Sequence, residues 1–402
     1  MYADMRIEKW TTNPVPKAHS ENKILTVSVA AYNVESTIER TLDSLVKSVP
    51  EEVLDALEVI VVNDGSKDGT LNIVKKYEES YPGTIRVIDK ENGGWGSTVN
   101  ASLKTAKGRF FRLLDGDDAF ATENLRDYLS FLKDSEADLV LTPFIKRYPD
   151  KDEIVSHHPE VGREVCTFTD LDDKADIYMH GISVRTERMR NSSFEITEKC
   201  YYTDNEYVFK AIVAADSIQR YDKYIYIYHL GVTGQSVGAE GLKKHHSDTV
   251  KVLSKMYRIY KEFLDTSGAD SDYGSVSGKA DTEYTNSGKF SSKNDDSDNI
   301  GAGKVDTDYA GIGNANIISS RNAKLKLLQK GLVFIADLVF VAYLVTGTPE
   351  AKAELKAFDG ELRDKYTEID RLIGSNKKIR IIRASGFLLY NVMSNLIRRR
   401  YE

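Results

Sequence analysis

The sequence predicts an α/β protein: a mostly parallel sheet flanked by helices, followed by a C-terminal helical accessory region. Three observations carry this. Short apolar runs alternate with amphipathic helical stretches from about residue 24 to residue 142. The runs are almost continuously apolar, as strands covered on both sides must be. The first four each end in polar or glycine-rich residues, at the strand ends where open sheets of this kind bind ligands.

Residues 1–22 are polar, contain Pro14 and Pro16, and are expected to form a leader. A first strand, Thr26–Ala31, ends at Tyr32-Asn33. Ser36 and Glu39 have capping-box spacing, and Ile38, Leu42, Leu45, Val46 and Val49 then recur at helical spacing. A second strand, Leu57–Val62, ends at Asn63-Asp64-Gly65-Ser66, and a helix is expected over Thr70–Ser80. The third strand, Thr84–Ile88, runs into Asp89-Lys90-Glu91-Asn92-Gly93-Gly94, and a helix over Ser97–Ala106 follows. The fourth, Arg109–Leu114, meets Asp115-Gly116-Asp117-Asp118 at once.

Glu123–Ser135 reads as a helix and Ala137–Thr142 as a fifth strand. Tyr178–Val184 reads as a strand near the crevice, and a helix follows Thr203-Asp204-Asn205-Glu206. Tyr224–His229 alternates as a strand, which puts Tyr224, Tyr226 and Tyr228 on one face. The expected organisation is one domain over 23–240, an amphipathic helix over 241–265, a disordered linker over 266–316 and a helical region over 317–402. The linker is Ser/Gly/Asp/Asn-rich and lacks the apolar surface to offset its ordering entropy.

The 402 residues are 41% hydrophobic and 29% charged, an ordinary globular balance, and the net charge of −7 gives no sign of nucleic-acid binding. Two cysteines, Cys166 and Cys200, cannot make a disulfide framework, which fits a reduced, cytoplasmic compartment. The amino terminus lacks the apolar core of a signal peptide. Gly331–Thr346 is short for a membrane span and carries Asp337, so a buried helix is expected. Ile379–Ile397 is apolar with Arg380 and Arg383 inside, between Lys377-Lys378 and Arg398-Arg399-Arg400. Such a segment suits a helix lying on an anionic membrane surface, or a terminal helix packed on its own protein.

Three carboxylates within four residues at the tip of the fourth strand repel one another unless a cation neutralises them. A hard divalent ion does so with one or two carboxylates, waters and substrate phosphates; the alternative is a solvated Asp-Gly turn. The fingerprints GxGxxG and GxxxxGK[ST] are missing at the first strand, so a metal has to take the phosphates.

These residues resemble family 2 glycosyltransferases, which have the Rossmann-like GT-A fold, from about Ile24 to Ser236. The resemblance rests on Val-Ala-Ala-Tyr-Asn at 29–33, Val-Asn-Asp-Gly-Ser-Lys-Asp-Gly-Thr at 62–70 and Asn-Gly-Gly at 92–94 with Asn100. Leu-Asp-Gly-Asp-Asp at 114–118 and Tyr-Thr-Asp-Asn-Glu at 202–206 complete it. It implies a nucleotide-sugar site formed by Ala31, Tyr32, Asn33, Asp64, Asn92, Gly93, Gly94, Asp115 and Gly116, with Tyr32 and Asp64 at the base and ribose. It implies Mn²⁺ or Mg²⁺ on Asp117 and Asp115, with His229 a late ligand. Asp204 would take the proton from the acceptor hydroxyl, and Glu206 is its neighbouring alternative.

Ala31 stands where the family often has proline. Trp95, after the glycine turn, either packs on the sheet or stacks on a sugar. Gln235 and Ser236 are candidate phosphate contacts, and His157-His158 and His245-His246 read as surface residues.

The implied activity is metal-dependent, inverting transfer from a nucleotide-sugar, expected to be a UDP-sugar, to a hydroxyl of a glycan or lipid-linked acceptor, in cell-surface polysaccharide synthesis. A different class of function is a non-catalytic sugar-nucleotide-binding scaffold that recruits a membrane enzyme. A processive synthase would need a QxxRW element and several spans, and a nucleotidyltransferase an Arg/Lys-bearing glycine loop; neither pattern is present.

Overall fold

The structure is a computed structural model, which describes residues 23–156, 161–172, 176–192, 195–230, 238–265, 309–374 and 376–399. The expected leader, most of the expected linker, His157-His158, and Gln235 and Ser236 lie outside the described residues.

The elements in chain order are β1 (Leu25–Ala31), α1 (Ile38–Val46), α2 (Glu51–Ala56), β2 (Leu57–Asp64), α3 (Thr70–Ser80), β3 (Ile85–Lys90), α4 (Trp95–Thr105) and β4 (Phe110–Asp115). Then come β5 (Ala119–Phe120), α5 (Thr122–Asp134), β6 (Leu139–Leu141), β7 (Phe144–Arg147), β8 (Asp152–Val155), β9 (Ile182–Arg185), α6 (Thr186–Asn191) and α7 (Asp204–Ala214). β10 (Ile218–Arg220), β11 (Tyr226–His229) and α8 (Ala239–Asp265) follow. The last helices are α9 (Tyr309–Thr346), α10 (Pro349–Lys365), α11 (Thr367–Ile373), α12 (Lys377–Ala384) and α13 (Tyr390–Arg398).

The main sheet has seven strands in the order β10-β6-β9-β4-β1-β2-β3. β1 pairs in parallel with β2 and β4, and β2 with β3. β1 and β2 are buried almost throughout, which explains their unbroken apolar sequence. Register brings the strand tips to one line: Ala31 lies beside Asn63, Ala30 beside Asp115, and Asp64 beside Lys90. β9 is the exception in this mostly parallel sheet, running antiparallel to both β4 and β6. Its amino end therefore arrives at the edge where the parallel strands finish.

A second sheet, β5-β11-β7-β8, closes one side of that edge. The expected strand at Tyr178–Val184 is a 3₁₀ turn over Met179–Gly181 leading into β9. Ser36 does not cap α1: the N-cap is Thr37, whose hydroxyl donates instead to Gly116 O at 2.9 Å. A tertiary partner outcompetes the local box.

The carboxyl-terminal helices share one apolar cluster with the sheet. Val339, Phe340 and Leu344 of α9 and Leu355 of α10 are fully buried in the cluster that holds Val27, Val61 and Leu114. α9 packs on α7 and α8. Ile318–Thr346 is the one segment among the described residues long and apolar enough to cross a membrane, and most of it is buried. Asp337 on this helix accepts from Asn376 at 2.7 Å and pairs with Lys378 at 2.8 Å. The expected continuous stretch Ile379–Ile397 is two helices, broken at Gly386 and Phe387, which have φ of 56° and 66°.

Candidate active site

The site is built where β1, β2 and β4 end. After β4 the chain turns at Gly116, whose N–H donates to Ala30 O at 3.0 Å. A side chain at Gly116 would bring its Cβ within 2.8 Å of that same carbonyl, so glycine is needed for the acid loop to sit on β1. Thr41 clamps the loop from α1, its hydroxyl lying 2.9 Å from Gly116 O and 2.7 Å from Asp118 O.

Each acid has a different environment. Asp115 Oδ1 accepts the indole N–H of Trp95 at 2.8 Å. Burial, then the neighbouring Asp117 carboxylate, push Asp115 up to about 7, and Asp204 adds to the effect. Asp118 is fully buried; its Oδ2 accepts from Tyr226 OH at 2.5 Å and its Oδ1 from His229 N at 2.8 Å. Burial, then Asp115 and Asp117, raise it well above the usual carboxylate range. Asp117 is half-buried and raised mainly by burial, and its carbonyl accepts from Arg40 at 2.5 Å.

His180, which sequence reasoning missed, completes the cluster. Asp115, Asp118 and His180 each offer an atom within 4.8 Å of the others. The imidazole stacks between Phe144 and Tyr228, with ring centroids 5.1 and 4.4 Å away, and its Nδ1 is buried with no hydrogen-bond partner. Burial, then the charge of Arg112, lower His180 to about 3, so its ring is neutral and able to ligate. Arg112 is itself fully buried in β4 and donates to His180 O at 2.5 Å and Thr142 Oγ1 at 3.0 Å. The one signal in the sequence was His180-Gly181 ahead of an apolar run. The expected ligand His229 lies beside Asp118, its Nδ1 3.9 Å from Oδ1 and outside the trio. Burial lowers it to about 4.

The residues expected to hold the nucleotide lie at the ends of β1 and β2. Tyr32 is half exposed at the tip of β1, presenting an aromatic face. Asn33 has φ of 52°, its Oδ1 accepts from Lys67 N at 2.8 Å, and its own N–H donates to Ser66 Oγ at 3.0 Å. Asp64 is buried and engaged internally: Lys90 lies 2.7 Å from Oδ1, and the Gly93 and Gly94 amides donate at 2.9 and 2.8 Å. It therefore shapes the Gly93-Gly94 turn, whose amides it takes up. Asn92 donates to Asp64 O at 2.9 Å.

Asp204 begins α7, half-buried and facing the same crevice. Burial raises it to about 6 against the hydrogen bonds from Asn205, and its field reaches Asp115. Glu206 is fully buried instead: Oε2 accepts from Thr197 N at 2.8 Å and pairs with Lys255 at 3.1 Å. These contacts make it a brace between α7, the 196–200 loop and α8. Tyr226 and Tyr228 serve Asp118 and His180, whereas Tyr224 is bonded to Glu123 at 3.0 Å. His245 stacks on Tyr201 with centroids 3.4 Å apart, and His246 sits edge-on to Tyr343.

The donor set of two carboxylates and an imidazole, crowded by a third carboxylate and holding an orphaned buried nitrogen, fits a divalent transition ion such as Mn²⁺. Mg²⁺ prefers an all-oxygen set.

Residues 26–194 match the family description "Glycosyl transferase family 2". An uncharacterized glycosyltransferase, EpsJ of Bacillus subtilis, is 27% identical over 214 residues, 51% of this chain and 60% of that protein. The poly(ribitol-phosphate) beta-N-acetylglucosaminyltransferase TarS of Staphylococcus aureus is 36% identical over 115 residues, 29% of this chain and 20% of TarS. The chain thus spans less than two thirds of the length of these curated relatives. A crystal structure of S. aureus TarS 1–349 in complex with UDP-GlcNAc aligns with a TM-score of 0.49 at 25% identity, over 62% of this chain and 68% of that one. The strand tips, the acid loop and the motif order agree with this match of residues 26–194 to glycosyl transferase family 2.

Proposed function

We propose that the protein is a metal-dependent, inverting glycosyltransferase. It takes a sugar from a UDP-type nucleotide-sugar to a hydroxyl of a glycan or lipid-linked acceptor in cell-surface polysaccharide synthesis, working in the cytoplasm at the inner face of the membrane. One observation carries the reading: the Asp204 carboxylate, at the start of α7, lies near enough to Asp115, at the tip of β4, to raise it. An acceptor-side base and a donor-side acid cluster are thereby adjacent. The names of the relatives, which include a β-N-acetylglucosaminyltransferase acting on a polymer, support the substrate class.

In the proposed reaction Tyr32 stacks on the base, while Asp64 keeps the glycine turn shaped for the ribose and phosphates. Asp115, Asp118 and His180, with Asp117 beside them, would hold a divalent ion, Mn²⁺ in preference to Mg²⁺; bound there, it would supply Lewis-acid stabilisation of the leaving diphosphate. Asp204 accepts the proton as the acceptor oxygen bonds to the anomeric carbon; the bond from that carbon to the diphosphate breaks, and its electron pair leaves with the nucleotide. With one base and no nucleophile assigned to the opposite face, the anomeric configuration inverts.

The test is a panel of nucleotide-sugars with Mn²⁺, reading thermal stabilisation and nucleoside diphosphate release together. Stabilisation plus release by at least one donor is expected. Tight binding without release, with or without acceptor, would overturn the catalytic reading.

A further inference from the structure

We propose that the outward face of the α12–α13 pair is a docking surface for an anionic lipid membrane. α12 turns Ile379 and Ile382 inward, and α13 turns in Tyr390, Ser394 and Ile397. The opposite side carries Ile381, Leu388, Leu389, Val392 and Leu396, which are 45, 82, 43, 54 and 54% exposed. Exposed large apolar side chains are otherwise scattered among the described residues; here five fall within sixteen positions. A contiguous apolar patch of this kind marks an interaction site.

The patch is not a loose end. Phe387 is buried at the turn, Tyr390 OH donates to Tyr343 O at 2.5 Å, and Arg398 donates to Val345 O at 2.8 Å. The pair is thus fastened to α9 with its apolar side outward.

Charge selects the partner. The chain as a whole carries −7, yet no acidic residue occurs between Arg371 and Arg399. Within that segment Lys378 pairs with Asp337, and Arg383 with Asp359 and Asp370. Lys377, Arg380 and Arg399 are exposed and have no carboxylate partner among the described residues. Apolar side chains rimmed by unpaired cations complement a surface with acyl chains below and anionic headgroups above. A second copy would set these cations against their own kind, which disfavours self-association through this face. The assignment deepens the membrane location proposed above, but it rests on exposure and charge and needs no transfer activity.

The test is co-sedimentation of the intact chain with vesicles of phosphatidylglycerol and phosphatidylcholine in equal parts, or of phosphatidylcholine alone. Binding to the anionic vesicles, weakened by salt, is expected. Leu388→Asp with Val392→Asp should lower it about tenfold or more, and Lys377→Glu with Arg380→Glu by about fivefold for each cation lost. All four side chains are solvent-exposed, so both pairs should leave the melting curve and soluble nucleotide release unchanged. The proposal falls if the intact chain ignores anionic vesicles or if binding survives both pairs. It falls equally if sedimentation velocity shows a dimer that the Leu388/Val392 pair dissociates. Vesicle binding by a chain that releases no nucleotide would leave the docking surface standing and remove only the catalytic reading.

Discussion

Asp204 sits where burial makes a carboxylate a better base. Its value rises from the ordinary 3.8 to about 6, burial being the largest cause. Between those values the folded protein holds a proton that the unfolded chain has released. The stabilising contribution of the protonated group is therefore complete below about 4 and is lost as pH rises through about 6. Activity should move oppositely, rising with pH to a plateau above about 6. Asp204→Asn should lower turnover about 10²–10⁴-fold, while its melting temperature at pH 7.5 equals or exceeds that of the parent. A variant that is both active and less stable would refute the assignment. Trp95 offers a second test, because its indole orients Asp115 rather than only covering the sheet. Trp95→Phe keeps the ring and removes the donor. It should weaken apparent Mn²⁺ affinity roughly tenfold, as loss of an outer partner does, with turnover near normal at saturating Mn²⁺. Lost turnover with unchanged metal dependence would instead indicate sugar stacking.

At the scale of elements, the parallel half was legible because it is local. β1 to β4 are apolar runs whose tips carry the motifs, and the helix expected over Thr70–Ser80 has those bounds. His180 was not legible. It reaches the acid loop only because β9 runs antiparallel and delivers its amino end to the sheet edge, a pairing that no local pattern encodes. The capping box at Ser36 failed for a related reason, since Thr37 is engaged by Gly116 across 79 positions of chain. Glu206, two residues after the candidate base, is fully buried and paired with Lys255. Lys255→Met strands a buried carboxylate and should cost about 3 kcal/mol of stability. Chemical denaturation measures this directly; a change below about 0.5 kcal/mol would show that the brace contributes little.

Across the whole molecule, the composition suggested a catalytic domain with an appended helical unit, whereas the structure joins them through one apolar cluster. Lys324 of α9 is buried and donates to Ala215 O at 2.7 Å, just past the end of α7. A chain ending at Asp265 would expose the apolar faces of α7 and α8. It should fail to show the single cooperative transition expected of the intact protein; a truncated chain that melts as sharply would make the helices a separable unit. The sequence could not reveal this, because residues 266–308 separate the packing partners and only tertiary contact reunites them.

The central claim is that acids at the tip of β4, with His180, hold a cation for a nucleotide's diphosphate. Electron paramagnetic resonance of Mn²⁺ titrated into the intact chain, with and without UDP, tests it most directly. The account predicts one bound ion whose affinity rises when UDP is added, and loss of that coupling in Asp115→Asn and His180→Ala. Free Mn²⁺ signal indifferent to UDP, or identical titrations for the parent and both variants, would contradict it.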